Sequence, residues 1–346
     1  RGHVVPPSGE ASAPMRSNAR PDGSLHTTPH SPTATDVQTP SLIVVGELNA
    51  DLIMEGVQAR PALEKERVAE GMTLTLGSSS AILASNASAI GMDVGFVGQV
   101  GNDAFGDFVR ERLKARDVEC RFVQSTSEDA TGLTVIYTHG DDRGMITYPG
   151  AMEALTLEDV PLDYVGQSDH LHLSSFYLQT GLQPDVGTLF RTAKAEGLTT
   201  SLDTNWDPDE TWDGGILDVL DAVDVFLPND DEARLIAGED RLDQAMAALG
   251  KRAGAVVVTQ GDDGASLYHN ERLQSFSAPQ VDPVDAVGAG DSFNAGFLTQ
   301  YLNGTALPEC VEFGLLAGAY STRGPGGTAA FEDVDGFRSF AASRLE

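Results

Sequence analysis

The chain has 346 residues, 41% of them hydrophobic, and a formal net charge of −30. That length allows one large α/β domain or two ordinary ones. The charge leaves no basic footprint for nucleic acid, and no apolar run approaches the roughly 18 residues of a membrane helix. The two cysteines, Cys120 and Cys310, make neither a metal spacing nor a disulfide framework. Together with an N-terminus lacking the apolar core of a secretory signal, they point to a reducing cytoplasm.

Residues 1–40 hold seven of the seventeen prolines and show no periodicity, so they read as a disordered tail. Order begins at Leu42–Val45, a short apolar run with the character of a buried strand. A strand-like piece near 52–57, strand Met72–Leu76, a turn at Gly77, helix Ser80–Ile90, strand Val94–Gln99 and helix Ala104–Arg116 follow. Leu133–Thr138 and Met145–Tyr148 then flank Gly-Asp-Asp-Arg-Gly, a hairpin signal. From Asp169 the alternation returns: strand 170–174, helix 184–196, strand 199–203, strand 224–228, helix Asp230–Ala237, helix 241–253, strands 255–259 and 264–269, and a final pair of helices.

Such alternation predicts an α/β fold with a doubly wound, mostly parallel sheet covered by helices on both faces. The hairpin, with segments near 52–76 and 131–150, does not fit that sheet and is expected to project from it as a small β-sheet lid. The expected organisation is therefore a tail over 1–40 and one domain over 41–346.

The stretch Asp282–Phe293, DPVDAVGAGDSF, carries the strongest chemical signal. After Asp291, the residues Phe293, Phe297, Leu298, Tyr301 and Leu302 fall on one face of a helix. Gly288, Ala289 and Gly290 form the turn into it. Free amides and the positive end of the dipole at a helix start make an anion site. A carboxylate in the same place repels phosphate unless it takes a proton from an attacking hydroxyl, an arrangement suited to phosphoryl transfer. On local pattern alone, a plain N-cap aspartate is an equally good reading. Elsewhere, Asn49 and Asp51 are two apart and point to one side of an extended chain. Asn229 and Glu232 are three apart and share a helical face.

Asp285–Asp291 resembles the Asp-Thr-x-Gly-Ala-Gly-Asp signature of the ribokinase/PfkB carbohydrate-kinase family, with Ala286 in place of Thr. VGELNADLIM, GQVGNDAFGD, ITYPGA, LPNDDEA, VVVTQGDDGASLY and AYSTRGPGG are similar to further family segments in the expected order, and the likeness covers about residues 41–335. It implies a ribokinase-like fold and ATP-dependent phosphorylation of a hydroxyl of a small sugar. Asp291 would be the general base, and the amides of Gly288, Ala289 and Gly290 the anion hole. Asn49 and Asp51 would hold the sugar, with Gly77, Ser78, Gly150 and Arg143 beside it. Asn229 and Glu232 would organise Mg²⁺ through water, and Thr259 and Gly261 would lie near ATP. Many relatives also bind a monovalent cation; by that match Asp285, Val287, Thr322, Pro325 and Gly327 would hold K⁺. Relatives commonly dimerise through the lid.

The family's Gly-Gly-x-x-x-Asn segment departs here, with Ser78 for the second Gly and Ile82 for the Asn. An apolar side chain cannot donate the amide's hydrogen bonds, so the acceptor pocket is expected to differ from that of ribose-using relatives. A nucleoside, a 2-keto-3-deoxy sugar acid or a sugar phosphate stays open as the acceptor, as does a catalytically silent relative serving as a binding or regulatory subunit. Membrane and nucleic-acid partners are not expected. The acidic composition, with four lysines against eighteen arginines, suits a salt-rich cytosol in which like charges are screened within a few ångströms. Thermal stability is then expected to be higher in molar KCl than in dilute buffer; indifference to salt would contradict it.

Overall fold

Leu42–Val45 is apolar at every position because both of its faces are covered: all four residues are fully buried. This is β1, and the computed structural model describes the chain around it over residues 40–140 and 142–345. The expected tail therefore lies outside the described residues, apart from Pro40. The first half continues with β2 (Asn49–Glu55), β3 (Gly71–Leu76), α1 (Ser79–Ala89), β4 (Val94–Gly101), α2 (Ala104–Lys114), β5 (Glu119–Thr126), β6 (Gly132–His139) and β7 (Asp142–Tyr148). Then come α3 (Leu162–Val165), β8 (His170–Leu173), α4 (Val186–Ala195), β9 (Thr199–Leu202), α5 (Ile216–Leu220), β10 (Val225–Phe226), α6 (Asp230–Ala237) and α7 (Leu242–Leu249). The chain finishes with β11 (Ala255–Thr259), β12 (Ala265–His269), β13 (Arg272–Phe276), α8 (Ala289–Leu302), α9 (Leu307–Ser321) and α10 (Val334–Ala342).

The main sheet runs β13-β12-β11-β10-β9-β8-β1-β4-β5. It is parallel from β11 to β5, with β12 and β13 added antiparallel at one edge. Alternation along β1 sends Ile43 and Val45 into one core with residues of α4, α6 and α7, and Leu42 and Val44 into the other with α1, α2, α8 and α9. Strand order grows outward from β1 through β4 to β5, then restarts at β8 on the other side of β1. That reversal is a topological switch point, where open α/β sheets bind ligands beyond the carboxyl ends of their strands. The segments leaving β1, β8, β9 and β10 bring Glu47, Ser175, Asp203 and Asn229 to that end.

β3-β2-β6-β7 form a separate four-stranded sheet, the expected lid. Register puts Leu52, Met54, Met72, Leu74, Val135, Tyr137, Ile146 and Tyr148 on one side of it and Asn49, Asp51, Thr134 and Thr147 on the other. The first side is apolar and open to solvent, with Met72 67% and Ile146 65% exposed.

Several details differ from the sequence reading. β5 and β13 are strands it did not include, and α3 and α5 are short helices it did not include. The helix expected over 241–253 ends at Leu249, and a third C-terminal helix, α10, follows the expected pair. Among the described residues no helix is long and apolar enough to cross a membrane, and Cys120 and Cys310 are free and buried.

A polar chain crosses the middle of the sheet. His170 bonds Thr199 Oγ1 and Ser201 Oγ at 2.7 Å each, and His172 bonds Ser201 Oγ and Ser174 Oγ at 2.7 Å each. Complete burial keeps both rings neutral, pushing His170 down to about 3 and His172 well below the usual histidine range. The unfolded chain binds their protons near 6.5 while the folded chain does not, so their neutrality costs stability as pH falls below 6.5, by up to about 1.4 kcal/mol per pH unit per ring. His172→Asn is therefore expected to be destabilised at pH 7.5, with a deficit that shrinks by pH 5. Denaturant melts at both pH values measure this; a deficit independent of pH would contradict it.

Candidate active site

Asn49 and Asp51 open β2 on its site-facing side, both buried. Asn49 Nδ2 donates to Asp51 Oδ1 at 2.9 Å and to Thr134 Oγ1 at 3.1 Å. Gly77 packs directly on the pair: a Cβ there would fall 2.2 Å from Asp51 Oδ1 and 2.6 Å from Asn49 Nδ2. Burial, reinforced by Asp291 and Asp285, raises Asp51 to about 7 against the bonds from Asn49 and Thr134.

Two residues after Gly77, Ser79 Oγ donates to the carboxylate of Asp291. The Asn49–Asp51 pair on the small sheet and the carboxylate at the start of α8 are thus joined by one three-residue turn. Burial pushes Asp291 up to about 6; the Ser79 bond opposes this and the charge of Glu47 adds to it. Asp291 is not the N-cap of α8. Gly288 is, in the left-handed region at φ 73°, where a Cβ would lie 2.6 Å from Gly327 Cα. Asp291 stands in the first turn with its side chain turned to Ser79. Ser292 N reaches back to Gly288 O at 2.9 Å, so the amides of Gly290 and Asp291 are among the orphan donors of a helix start.

Gly290 borders a cleft of about 420 Å³ lined also by Thr259, Gly261, Gly264, Ala286, Ala289 and Thr322, among others. The structure therefore brings Thr259 and Gly261 to the same cavity as the Gly-Ala-Gly turn. A Cβ on Gly290 would meet no atom within 4 Å. Protein packing does not account for that glycine.

Asn229 and Glu232 form a reciprocal cap on α6. Glu232 accepts from Asn229 N at 2.9 Å and Nδ2 at 2.7 Å, and Glu232 N donates to Asn229 Oδ1 at 2.9 Å. Glu232 is buried, not solvated, and burial raises it to about 7, with Asp291 adding to the shift. Asp203, held well above the carboxylate range by burial and by Glu232 and Asp291, accepts from Asn294 Nδ2 at 2.6 Å. Among the described residues no three His, Cys, Asp or Glu side chains make a direct metal cage. An ion that keeps most of its water, as Mg²⁺ does, fits a carboxylate whose two oxygens are already bonded to Asn229.

In the loops before and after α8 and α9, Asp285 accepts from Val287 N at 3.0 Å and Gly326 N at 2.8 Å. Thr322 O accepts from Val284 N at 2.6 Å and Asp285 N at 3.1 Å, and Gly327 O accepts from Asn86 Nδ2 at 2.8 Å. Asp285, Val287, Thr322 and Gly327 thus meet in one knot of chain, with exposed Pro325 next to Gly326.

Other expected site residues sit apart. Ser78 spends its hydroxyl on Glu47 O at 2.6 Å and Glu47 Oε1 at 3.0 Å while accepting from Ala81 N. Ile82 does not face the Asn49–Asp51 pair but packs behind the glycine turn, against Gly288 and Gly327. Gly150 is buried under Ala130, where a Cβ would meet Ala130 O at 2.2 Å. Arg143 pairs with Thr138, six residues along β6 from Gly132, the register partner of Asn49. That is about 20 Å along the strand. Sequence reasoning missed Glu47, Ser79, Ser175, Asp203 and Asn205, which come from separate strand ends with no common spacing.

The molecule is thus a doubly wound α/β sheet whose switch point gathers buried carboxylates beside a helix start with free amides. Residues 39–333 match the pfkB family of carbohydrate kinases, and the chain belongs to that family, as a phosphotransferase that uses ATP on a sugar hydroxyl. It is 30% identical to a fructokinase of Klebsiella pneumoniae over 271 residues, covering 74% of this chain and 82% of that one. It is 27% identical over 309 residues to an ATP-dependent ribose-1-phosphate kinase of Halopiger xanaduensis, covering 88% and 99%. The fold is similar to that of Arabidopsis thaliana ribokinase solved with ribose and ATP, with a TM-score of 0.75, 24% identity and coverage of 88% and 99%.

Gly290→Ala separates packing from ligand access. It is expected to raise stability by about 0.5–1 kcal/mol, the ordinary gain of Ala over Gly in a helix, while lowering nucleotide-dependent turnover. A variant as active as the wild type would contradict the open-backbone reading.

Proposed function

We propose that the protein phosphorylates a hydroxyl of a small neutral sugar, with Asp291 as general base. The observation that supports this is that Asp291 follows Gly290, which lines the cleft with Thr259 and Gly261, and lies within electrostatic reach of Asp51. Asn49 and Asp51 hold hydroxyls of the acceptor, and Thr134 orients them. Asp291 takes the proton of the accepting hydroxyl as its oxygen bonds to the γ-phosphorus of ATP and the bond to ADP breaks. Held near 6, the carboxylate is ionised at neutral pH yet more basic than an ordinary aspartate, which suits proton transfer. In the Gly288–Ala289–Gly290 turn the Ala289 amide is spent on Ala286 O at 3.3 Å, so the turn receives charge on the transferred group through the amide of Gly290. Thr259 and Gly261 line the nucleotide side. Asn229 and Glu232, with Asp203 behind them, would hold Mg²⁺ through its waters, where the ion neutralises phosphate charge. Asp285, Val287, Thr322, Pro325 and Gly327 would be the K⁺ loop. The lid sheet closes over the sugar and excludes water.

The charges around the acceptor pair favour a neutral substrate. Asp51 is influenced by Asp291 and Asp285, and Asp291 by Glu47, all acidic. A second reading, an acceptor carrying its own phosphate, is supported by the ribose-1-phosphate kinase likeness. The second copy of this chain is the proposed partner, because it would cover the apolar side of the lid; light scattering is expected to give a dimer, and a monomeric wild type would contradict that.

The test of substrate class is ADP release with MgATP in high KCl across ribose, fructose, 2-keto-3-deoxygluconate, nucleosides, ribose 1-phosphate and fructose phosphates. A neutral sugar is expected to give the highest kcat/KM. A sugar phosphate in first place moves the acceptor to the second reading. Silence across the set with ATP still bound contradicts both.

A further inference from the structure

Glu47 is 2% exposed at the end of β1. A buried carboxylate without a cation is expensive, yet the groups bonded to this one are all neutral. It accepts from Ser78 Oγ at 3.0 Å, Ser80 N at 3.2 Å, Ser80 Oγ, and Ser175 Oγ at 2.8 Å. These donors come from the start of α1 and the turn after β8. Ser175 itself takes a bond from Asn205 Nδ2 at 2.7 Å, and both Ser175 (φ 54°) and Asn205 (φ 52°) are held in the left-handed region. Glu47 therefore fastens segments from both sides of the switch point to the first turn of α1, where the helix dipole favours an anion.

Ser78 and Ser80 are bonded to Glu47, and Ser79, between them, is the serine left to reach Asp291. With its neighbours fixed, its hydroxyl is aimed at one oxygen of that carboxylate, and the other oxygen is left for a ligand. We propose that Ser79 and Glu47 are positioning residues for phosphoryl transfer: Ser79 holds the Asp291 carboxylate in place, and Glu47 locks the serine turn that aims Ser79. This rests on the reading of Asp291 as the base.

The two residues act on Asp291 in opposite directions. A hydroxyl donating to the ionised form lowers its proton affinity, and a nearby negative charge raises it. Among the described residues, the charged groups coupled to Asp291 are all acidic: Glu47 after β1, Asp51 on β2, Asp203 after β9 and Glu232 on α6. Removing either Ser79 or Glu47 is thus not masked by a neighbouring cation.

The experiment compares the pH profile of kcat/KM, with kcat and nucleotide KM, for the wild type, Ser79→Ala, Ser79→Thr and Glu47→Gln, with the best acceptor of the substrate set. Ser79→Ala is expected to move the acidic limb to higher pH and lower kcat by about 10- to 100-fold, the range of one charge-assisted hydrogen bond, with nucleotide KM within about threefold. Ser79→Thr is expected to restore both. Glu47→Gln, which keeps the shape and loses the charge, is expected to move the limb to lower pH. General loosening of the site would not give opposite displacements. If Glu47→Gln does not fold, the Ser79 pair decides alone: Ala and Thr variants that both match the wild type in kcat and limb overturn the proposal. A wild type with no acidic limb between pH 5 and 7 would instead remove the base reading on which it rests.

Discussion

The start of α8 leaves amides free, as the positive end of a helix does, while Asp291, one residue past the last glycine, brings a negative charge to the same place. Such a conflict is costly in a fold with no other use for it. Burial raises Asp291, and Glu47 worsens its surroundings, so the carboxylate is kept where it is least comfortable. The chain keeps the neighbouring space open as well: Gly288 turns in the left-handed region against Gly327, and Gly290 carries no side chain although nothing in the protein would touch one. A helix start arranged only for stability would have a capping side chain in place of Gly288 and an alanine in place of Gly290.

The rest of the fold can be understood as the support this arrangement needs. The switch point between β1 and β8 gathers strand ends that are distant in sequence, and the buried carboxylates there are bonded to amides and hydroxyls: Asp203 to Asn294, Glu232 to Asn229, Glu47 to serines. The turn from Gly77 to Ser79 is the mechanical link. Gly77 packs on the Asn49–Asp51 pair of the lid sheet, and Ser79 holds the carboxylate over the main sheet. The small sheet and the group proposed to take the proton are therefore joined through three residues.

Much of this was legible in the sequence because it is local. β1, the hairpin of β6 and β7, α6 and the Gly-Ala-Gly turn each announce themselves by periodicity or turn chemistry. β5 was missed because charged residues interrupt its apolar positions, as suits an edge strand. β13 is polar and exposed along most of its length and gives no buried-strand signal. Ile82 was read as a loss at the acceptor pocket; the helix turns it instead behind Gly288, and the amide of Asn86, one turn later, bonds Gly327 O. Glu47 and Ser79 were invisible for a different reason. Their meaning lies in which distant groups they meet, and a run of three serines says nothing of that until the sheet order is known.

The central claim is that the Asp291 carboxylate accepts the substrate proton. Its most direct test is the single-turnover phosphoryl-transfer rate of Asp291→Asn alongside its ATP affinity, both against the wild type. The account predicts a rate lower by several orders of magnitude with ATP affinity retained, since the amide keeps the shape and the bond from Ser79 but not the basicity. A near-normal rate would contradict it.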